Sequence, residues 1–224
     1  MAATLYIVGV PIGNQEDISR RAIATLQSVD VIACEELKEA HRFLRLHGIE
    51  KALIEINEHT EQENVQEALD HLLAGRSIAL ISDAGMPLIA DPGWHLVTQA
   101  QDMNIPVTTI PGPTSIMSAL ALSGFDCKRF FFYGFLSPKR DERSKELSSL
   151  AYQPHVLVFL DAPYRMLPVL EDMMRAFGKG RRACVACDLT LPKEDVRRGT
   201  LRELVEHFTR HKKKCEFVIV VEGR

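Results

Sequence analysis

The chain has 224 residues, 46% of them hydrophobic and 25% charged, enough for a buried core and unlike disordered or fibrous chains. No apolar run reaches the ~18 residues a membrane helix needs, and the start, Met-Ala-Ala-Thr-Leu-Tyr-Ile-Val, has no basic region or cleavage site, so no signal peptide and a cytoplasmic location are expected. The net charge of −3 is uneven: residues 1–127 carry 7 Lys/Arg against 17 Asp/Glu, and residues 128–224 carry 20 against 13. A basic half suggests an anionic partner such as nucleic acid, beside the plainer reading that it attracts the acidic half or a second subunit.

In chain order, 4–10 reads as a first strand, ending in Gly9-Val10-Pro11-Ile12-Gly13-Asn14. That turn is not G-x-G-x-x-G, and Pro11 removes an N–H donor, so it is a poor phosphate cradle. Asp17-Ile18-Ser19 opens a helix through Leu26. A second strand at 29–34 leads through Glu35-Glu36 into a helix with Phe43, Leu44 and Leu46 expected to face inward. A third strand, 52–56, ends in Asn57-Glu58-His59, a polar cluster where parallel strands collect ligand sites. Residues 61–73 form an amphipathic helix through Val65, Leu69, Leu72 and Leu73.

The run Ile78-Ala79-Leu80-Ile81 is short and apolar, as in a strand buried on both faces, and it stops at Ser82-Asp83-Ala84-Gly85-Met86-Pro87. Asp91-Pro92-Gly93 then starts a helix pattern, and 107–110 is a fifth strand. The alternation predicts an α/β fold whose first domain, 1–112, is a mostly parallel doubly wound sheet. Pro111-Gly112-Pro113-Thr114-Ser115 marks the change to a second domain, 113–224, and opens a small-residue helix at 115–123. Strands are expected at 129–136, 156–160, 182–189, 196–200 and 217–221, helices at 166–177 and 201–208, and an exposed charged loop at 137–143. Their short connections imply antiparallel pairs and a mixed α+β sheet. His211-Lys212-Lys213-Lys214 reads as a solvated turn.

Five scattered cysteines argue against a disulfide framework and for a reducing compartment. Cys184 and Cys187 have C-x-x-C spacing, but on a strand they point to opposite faces, and no second Cys/His pair accompanies them; no metal is expected. Walker, G-x-S-x-G and H-E-x-x-H motifs are absent. Breaker loops after several strands, with few cations, suit a neutral or zwitterionic ligand better than a polyphosphate.

Val-Gly-Val-Pro-Ile-Gly-Asn (8–14), Asn-Glu-His (57–59), Ser-Asp-Ala-Gly-Met-Pro-Leu-Ile-Ala-Asp-Pro-Gly (82–93), Ile-Pro-Gly-Pro-Thr-Ser (110–115) and Phe-Tyr-Gly-Phe-Leu-Ser-Pro-Lys (132–139) resemble, in this order, the signatures of the tetrapyrrole-methylase superfamily. Within it the chain is most similar to the branch that methylates a cytidine ribose 2′-hydroxyl in small-subunit ribosomal RNA. The resemblance implies S-adenosylmethionine in a cleft between two α/β domains, usually in a homodimer. It puts Pro11, Asp83, Ala84, Gly85, Met86, Thr114, Ser115, Asp161 and Leu189 at the cofactor. Glu58, His59 and Glu35 are then the candidate bases, and Lys139, Arg140, Arg143, Arg165, Arg197 and Arg198 the candidate RNA contacts. Glu36-Leu37-Lys38 departs from the family's usual Asp-Thr-Arg, Asp188-Leu189-Thr190-Leu191 from Glu-Leu-Thr-Lys, and Lys214-Cys215-Glu216 from Lys-Gly-Glu. Two alternatives keep the cofactor: a related enzyme acting on a small molecule or protein, and a binding protein without transfer activity.

Overall fold

A computed structural model describes residues 3–57 and 61–224, apart from the side chains of 61–63. The chain divides into two compact units, Met1–Thr114 and Ser115–Arg224.

The first unit contains strands β1 (Leu5–Val8), β2 (Val31–Cys34), β3 (Ala52–Glu55), β4 (Ile78–Leu80) and β5 (Val107–Ile110). Its helices are α1 (Arg20–Ser28), α2 (Leu37–Leu46), α3 (Glu61–Leu73) and α4 (Trp94–Asp102). The strands form one sheet in the order β3-β2-β4-β1-β5, and every pairing is parallel. β2 and β4 are buried at every position because helices cover both faces. Ala22 and Leu26 of α1 pack with Ala40 and Leu44 of α2 on one face. Leu69 and Leu72 of α3 pack with Leu96 and Ala100 of α4 on the other. α1 starts where the Ser19 hydroxyl accepts the Ala22 N–H, after a 3-10 turn at Gln15–Asp17. Leu46 and Leu73 do not face inward as expected. Leu46 lies two residues past the buried Leu44 and Leu73 one past the buried Leu72, which turns each of them onto the exposed side.

The second unit contains α5 (Ser115–Ser123), β6 (Phe130–Phe135), α6 (Arg140–Leu150), β7 (Val156–Leu160), α7 (Met166–Phe177), β8 (Arg182–Cys187), β9 (Asp195–Thr200), α8 (Leu201–Arg210) and β10 (Phe217–Val221). Its sheet runs β6-β7-β10-β8-β9. β6 and β7 are parallel, while β10 is antiparallel to both β7 and β8, and β9 to β8, so the sheet is mixed. Leu147 of α6, Leu170 of α7 and Leu204 of α8 pack on one face with Phe159, Val185 and Ile219. α5 packs against β8 and β10. α8 opens with a reciprocal capping box between Thr200 and Glu203. Part of the expected charged loop is helical instead: α6 begins at Arg140, with Asp141 and Glu142 in its first turn, where acids suit the helix dipole.

Candidate active site

In the first unit every strand is parallel, so the segments that follow them emerge along one sheet edge. β1 and β4 are neighbours, yet their following helices cover opposite faces of the sheet. Chains that diverge in this way open a crevice where ligands of open α/β sheets bind.

Three of these loops are tied together by backbone. The Val10 N–H donates to the Gly85 carbonyl at 2.9 Å, and the Gly85 N–H returns to Val10 at 3.2 Å. The Gly9 N–H donates to the Ile110 carbonyl at 3.0 Å. A Cβ on Gly9 would sit 2.7 Å from Gly112 Cα, and one on Gly112 would sit 2.8 Å from Gly9 Cα. Only glycine at both positions lets the β1 and β5 loops cross this closely. Gly85 has φ of +85°, and a Cβ there would meet Ile12 Cγ2 at 3.3 Å and the Pro113 carbonyl at 3.7 Å. A fourth loop joins through Asp83, whose Oδ1 accepts the Glu36 N–H at 3.3 Å.

The loop after β4 is strained. Leu88 and Ala90 have φ of 73° and 68°, and in the second unit Asp188 and Thr190, after β8, have 50° and 66°. Among the described residues the only other non-glycine at positive φ is Asn104, just beyond α4, where asparagine tolerates it. Left-handed backbone at other residues costs on the order of 1–3 kcal/mol each and collects at functional sites. Both strained loops follow strands singled out from the sequence.

Carboxyl groups in the β4 loop hold protons more tightly than usual. Burial pushes Asp91 up to about 6, against a hydrogen bond from Ser82 and with help from the charge of Asp83. Burial also raises Asp83, opposed by the Glu36 N–H. The Cys34 thiol, raised to about 12 by burial and the nearby Asp83 and Glu55, is no nucleophile at neutral pH. Asp91 is the residue that sequence reasoning passed over. It stood in the quoted motif as a helix-start breaker, and only its approach to Ser82, nine positions earlier, makes it part of the site.

In the second unit β6, β7 and β8 point the same way, so Ser137, Asp161 and Leu189 share one sheet edge. The Asp161 side chain is fully buried. Its Oδ1 accepts the Ala162 N–H at 2.7 Å and lies 3.1 Å from Arg165 Nε, while Oδ2 is a buried acceptor with no hydrogen-bond partner. Burial raises this carboxyl, and the Ala162 N–H and Arg165 oppose the rise. Asp188, also buried, lies 3.2 Å from Lys213 Nζ.

The expected cofactor residues therefore fall on two loop-bearing edges: Pro11, Asp83, Ala84, Gly85, Met86 and Thr114 in the first unit, and Asp161 and Leu189 in the second, with Ser115 heading α5. Glu35 is half-buried just after β2, whereas Glu58 and His59 lie outside the described residues. Two expected RNA contacts are corrected. Arg143 is buried, pairing with Asp172 at 2.7 Å and donating to the Ser137 and Pro138 carbonyls at 3.1 Å. Arg165 donates to the Leu136 and Ser137 carbonyls at 3.1 and 2.7 Å besides meeting Asp161. Both guanidiniums fasten the 136–138 turn. Lys139, Arg140, Arg197 and Arg198 are exposed. Lys139 meets Glu142 at 3.0 Å, Arg197 meets Asp195 at 2.7 Å, and Arg198 donates to the Leu122 carbonyl at 2.6 Å. No cluster of three or more metal-ligating residues and no helix long and apolar enough to cross a membrane occurs among the described residues.

Residues 4–205 match the family model of the Tetrapyrrole (Corrin/Porphyrin) Methylases. The chain is 41% identical over 219 residues to a Synechocystis sp. protein named ribosomal RNA small subunit methyltransferase I, covering 98% of this chain and 78% of that one. It is 38% identical over 220 residues to the Thermotoga maritima protein of the same name, covering 98% of each. Its fold is similar to that of a cobalamin biosynthetic enzyme, cobalt precorrin-4 methyltransferase, with TM-score 0.71 at 16% identity over 98% of this chain and 94% of that one. Uroporphyrin-III-C-methyltransferase from Thermus thermophilus gives TM-score 0.67 at 19% identity, again over 98% and 94%.

Proposed function

Because the chain belongs to the tetrapyrrole (corrin/porphyrin) methylase family and is a methyltransferase, we propose that it methylates small-subunit ribosomal RNA, at a cytidine ribose 2′-hydroxyl, with S-adenosylmethionine as donor. The observation that carries the choice of acceptor is the near-full-length identity of about 40% to proteins named for that RNA, against 16% and 19% for the tetrapyrrole enzymes that share the fold. A cytoplasmic homodimer is part of the same reading.

The residues fit such a donor. The Gly9–Gly112 backbone contact, which any Cβ would force apart, makes the β1 and β5 loops a rigid support for a ligand, and Asp161 Oδ2 is an acceptor suited to an ammonium or ribose hydroxyl. Pro11, Ala84, Gly85, Met86, Thr114, Ser115 and Leu189 would line the ligand, with Asp83 bracing the β4 loop on β2. When bound, S-adenosylmethionine supplies an electrophilic methyl on a sulfonium sulfur. With the donor bound, the site's residues would hold the acceptor hydroxyl facing that methyl, so that the oxygen could take the methyl as the sulfur left as a neutral thioether, the hydroxyl proton passing to a base or to water. Most of the acceleration in such a displacement comes from holding oxygen, carbon and sulfur in line, which a rigid backbone cradle serves. Glu35, Glu58 and His59 are proposed proton acceptors. Asp91 joins them because a carboxyl near pKa 6 is poised for base work at neutral pH. Lys139, Arg140, Arg197 and Arg198 are proposed to meet phosphates.

The test is transfer of tritiated methyl from S-adenosylmethionine to small ribosomal subunits from cells lacking the gene. Label in the RNA, located at a cytidine ribose by nuclease digestion, is expected. Label in a protein or small molecule, or none, would overturn the acceptor assignment.

A further inference from the structure

The second sheet has two edges. The candidate site occupies the one where β6, β7 and β8 end, and the opposite edge, where they begin, carries a basic, aromatic groove. Four segments build it: the turn before β6, the turn between α6 and β7, the turn before β8, and the stretch after β10. They are fastened by backbone, with the Glu222 N–H on the Arg182 carbonyl and the Arg224 N–H on the Gln153 carbonyl, both at 3.0 Å. Two hollows of about 440 and 470 Å³ adjoin there, and Arg224 lines both.

Positive charge exceeds negative in this groove. Lys128, Arg129, Arg175, Arg181 and Arg224 line it and Arg182 adjoins it, against the side-chain carboxylates of Asp126 and Glu222, which lie 3.9 Å from Lys128 and 3.6 Å from Arg182, and with Arg175 paired to Asp172. The arginines are laid over rings: Arg224 over Tyr152 at 4.3 Å, Arg182 over Phe125 at 5.5 Å, and Arg181 over Phe177 at 5.9 Å. Stacking on Tyr152 holds the Arg224 guanidinium flat, a geometry from which its N–H fork can grip phosphate, whereas Arg182 is paired with Glu222 and Arg181 donates to the Glu222 carbonyl at 3.4 Å. Arg181 also donates to the Ala151 carbonyl at 2.6 Å, and its pKa is lowered by burial and by the like charge of Arg224. An anion would relieve that repulsion. Tyr152 is 74% exposed, a platform for an unstacked base.

We propose that this groove docks the sugar–phosphate backbone of the RNA substrate away from the reacting nucleotide, with a base stacked at Tyr152 and Arg224. The inference rests on RNA being the acceptor. Strands of five or six residues separate the two edges by roughly 17–20 Å. A lone nucleoside cannot touch both, whereas a structured polyanion can, so the groove serves a large RNA and offers nothing to a small acceptor.

The test uses the full chain and a small-subunit ribosomal RNA transcript, with affinity read by fluorescence anisotropy across a salt series. The triple variant Lys128→Gln/Arg129→Gln/Arg224→Gln is compared with Arg20→Gln/Arg21→Gln/Arg45→Gln, which removes equal charge from exposed sites on the first unit. The groove variant is expected to bind the transcript about tenfold more weakly or worse, with the slope of log affinity on log salt shallower by about 2–3, as for three lost phosphate contacts. Its methylation defect should fall on the KM for RNA rather than on kcat. Tyr152→Ala should weaken binding without changing the salt slope. A groove variant that matches the first-unit control in affinity and slope overturns the proposal while leaving the acceptor assignment standing. A parent protein that neither binds nor methylates the transcript or the small subunit overturns both.

Discussion

Replacing Gly9 by alanine tests the backbone crossing on which the donor site depends. The new methyl would lie 2.7 Å from both Gly112 Cα and Gly112 N and 2.6 Å from Met86 Sδ. The methionine can swing aside, but the Gly112 backbone cannot without moving the β5 loop. Carbon contacts settle near 3.5–4.0 Å, so the loops must part by about 1 Å. Overpacking of this kind costs about 1–3 kcal/mol. Stretching the 3.0 Å Gly9–Ile110 hydrogen bond by as much forfeits about 1 kcal/mol more. A loss of about 2–4 kcal/mol is expected, a shift of ~1–2 M in the urea midpoint for a slope of about 2 kcal/mol/M. Calorimetry with S-adenosylmethionine should show affinity reduced at least about tenfold, since a displacement near 1 Å disrupts a positioned site. Gly48→Ala is the comparison: it has φ of +63° and open space around it, so it should cost only about 1 kcal/mol and leave donor affinity unchanged. A Gly9→Ala protein with parental midpoint and parental donor affinity would refute the argument.

Asp91 and Lys213 give two further tests. Because folding raises the Asp91 pKa from 3.8 to about 6, the folded state favours the protonated acid. Its stabilising contribution is complete below pH 3.8 and is lost as pH rises through about 6. Asp91→Asn should therefore stabilise the protein at pH 8 by on the order of 1–2 kcal/mol, allowing for a partly wetted carboxyl, and hardly at all near pH 4; equal effects at both pH values in urea melts would disprove this. Lys213 neutralises the buried Asp188, so Lys213→Met should cost about 2 kcal/mol, Lys213→Arg less, and the exposed Lys212→Met under about 0.5 kcal/mol in thermal melts; equal losses at 212 and 213 would sink the assignment.

Much of this architecture was legible in the sequence because its elements carry strong periodicities. Residues 61–73, 107–110, 115–123, 156–160, 166–177 and 217–221 form the elements expected of them with the same limits. The errors follow from what a one-dimensional pattern lacks. Leu46 and Leu73 are apolar but fall outside the buried arc. Arg143 and Arg165 read as surface cations because nothing local reveals Asp172, 29 residues from Arg143, or the carbonyls of the 136–138 turn. Lys213 looked like one of three equivalent lysines, yet it alone meets a buried carboxylate after β8. The loops of the candidate site were located by their Gly and Pro content. The left-handed backbone at Leu88, Ala90 and Thr190 was not foreseeable, since none of these residues prefers it; Asp188 tolerates it better, but nothing in its local sequence marks the turn.

The order in which the first sheet's strands leave the ribosome bears on how the protein is made. β1 occupies the interior of that sheet, paired with β4 on one side and β5 on the other. Its partners lie about 70 and 100 residues further along, whereas β2 and β3 can pair early. At roughly 5–20 residues per second, Leu5–Val8 waits on the order of 5–20 s before Val107–Ile110 has been synthesised. The first strand of this unit is thus completed by its last. Until then Leu5–Val8 lacks both of the strands that pair with it in the finished sheet.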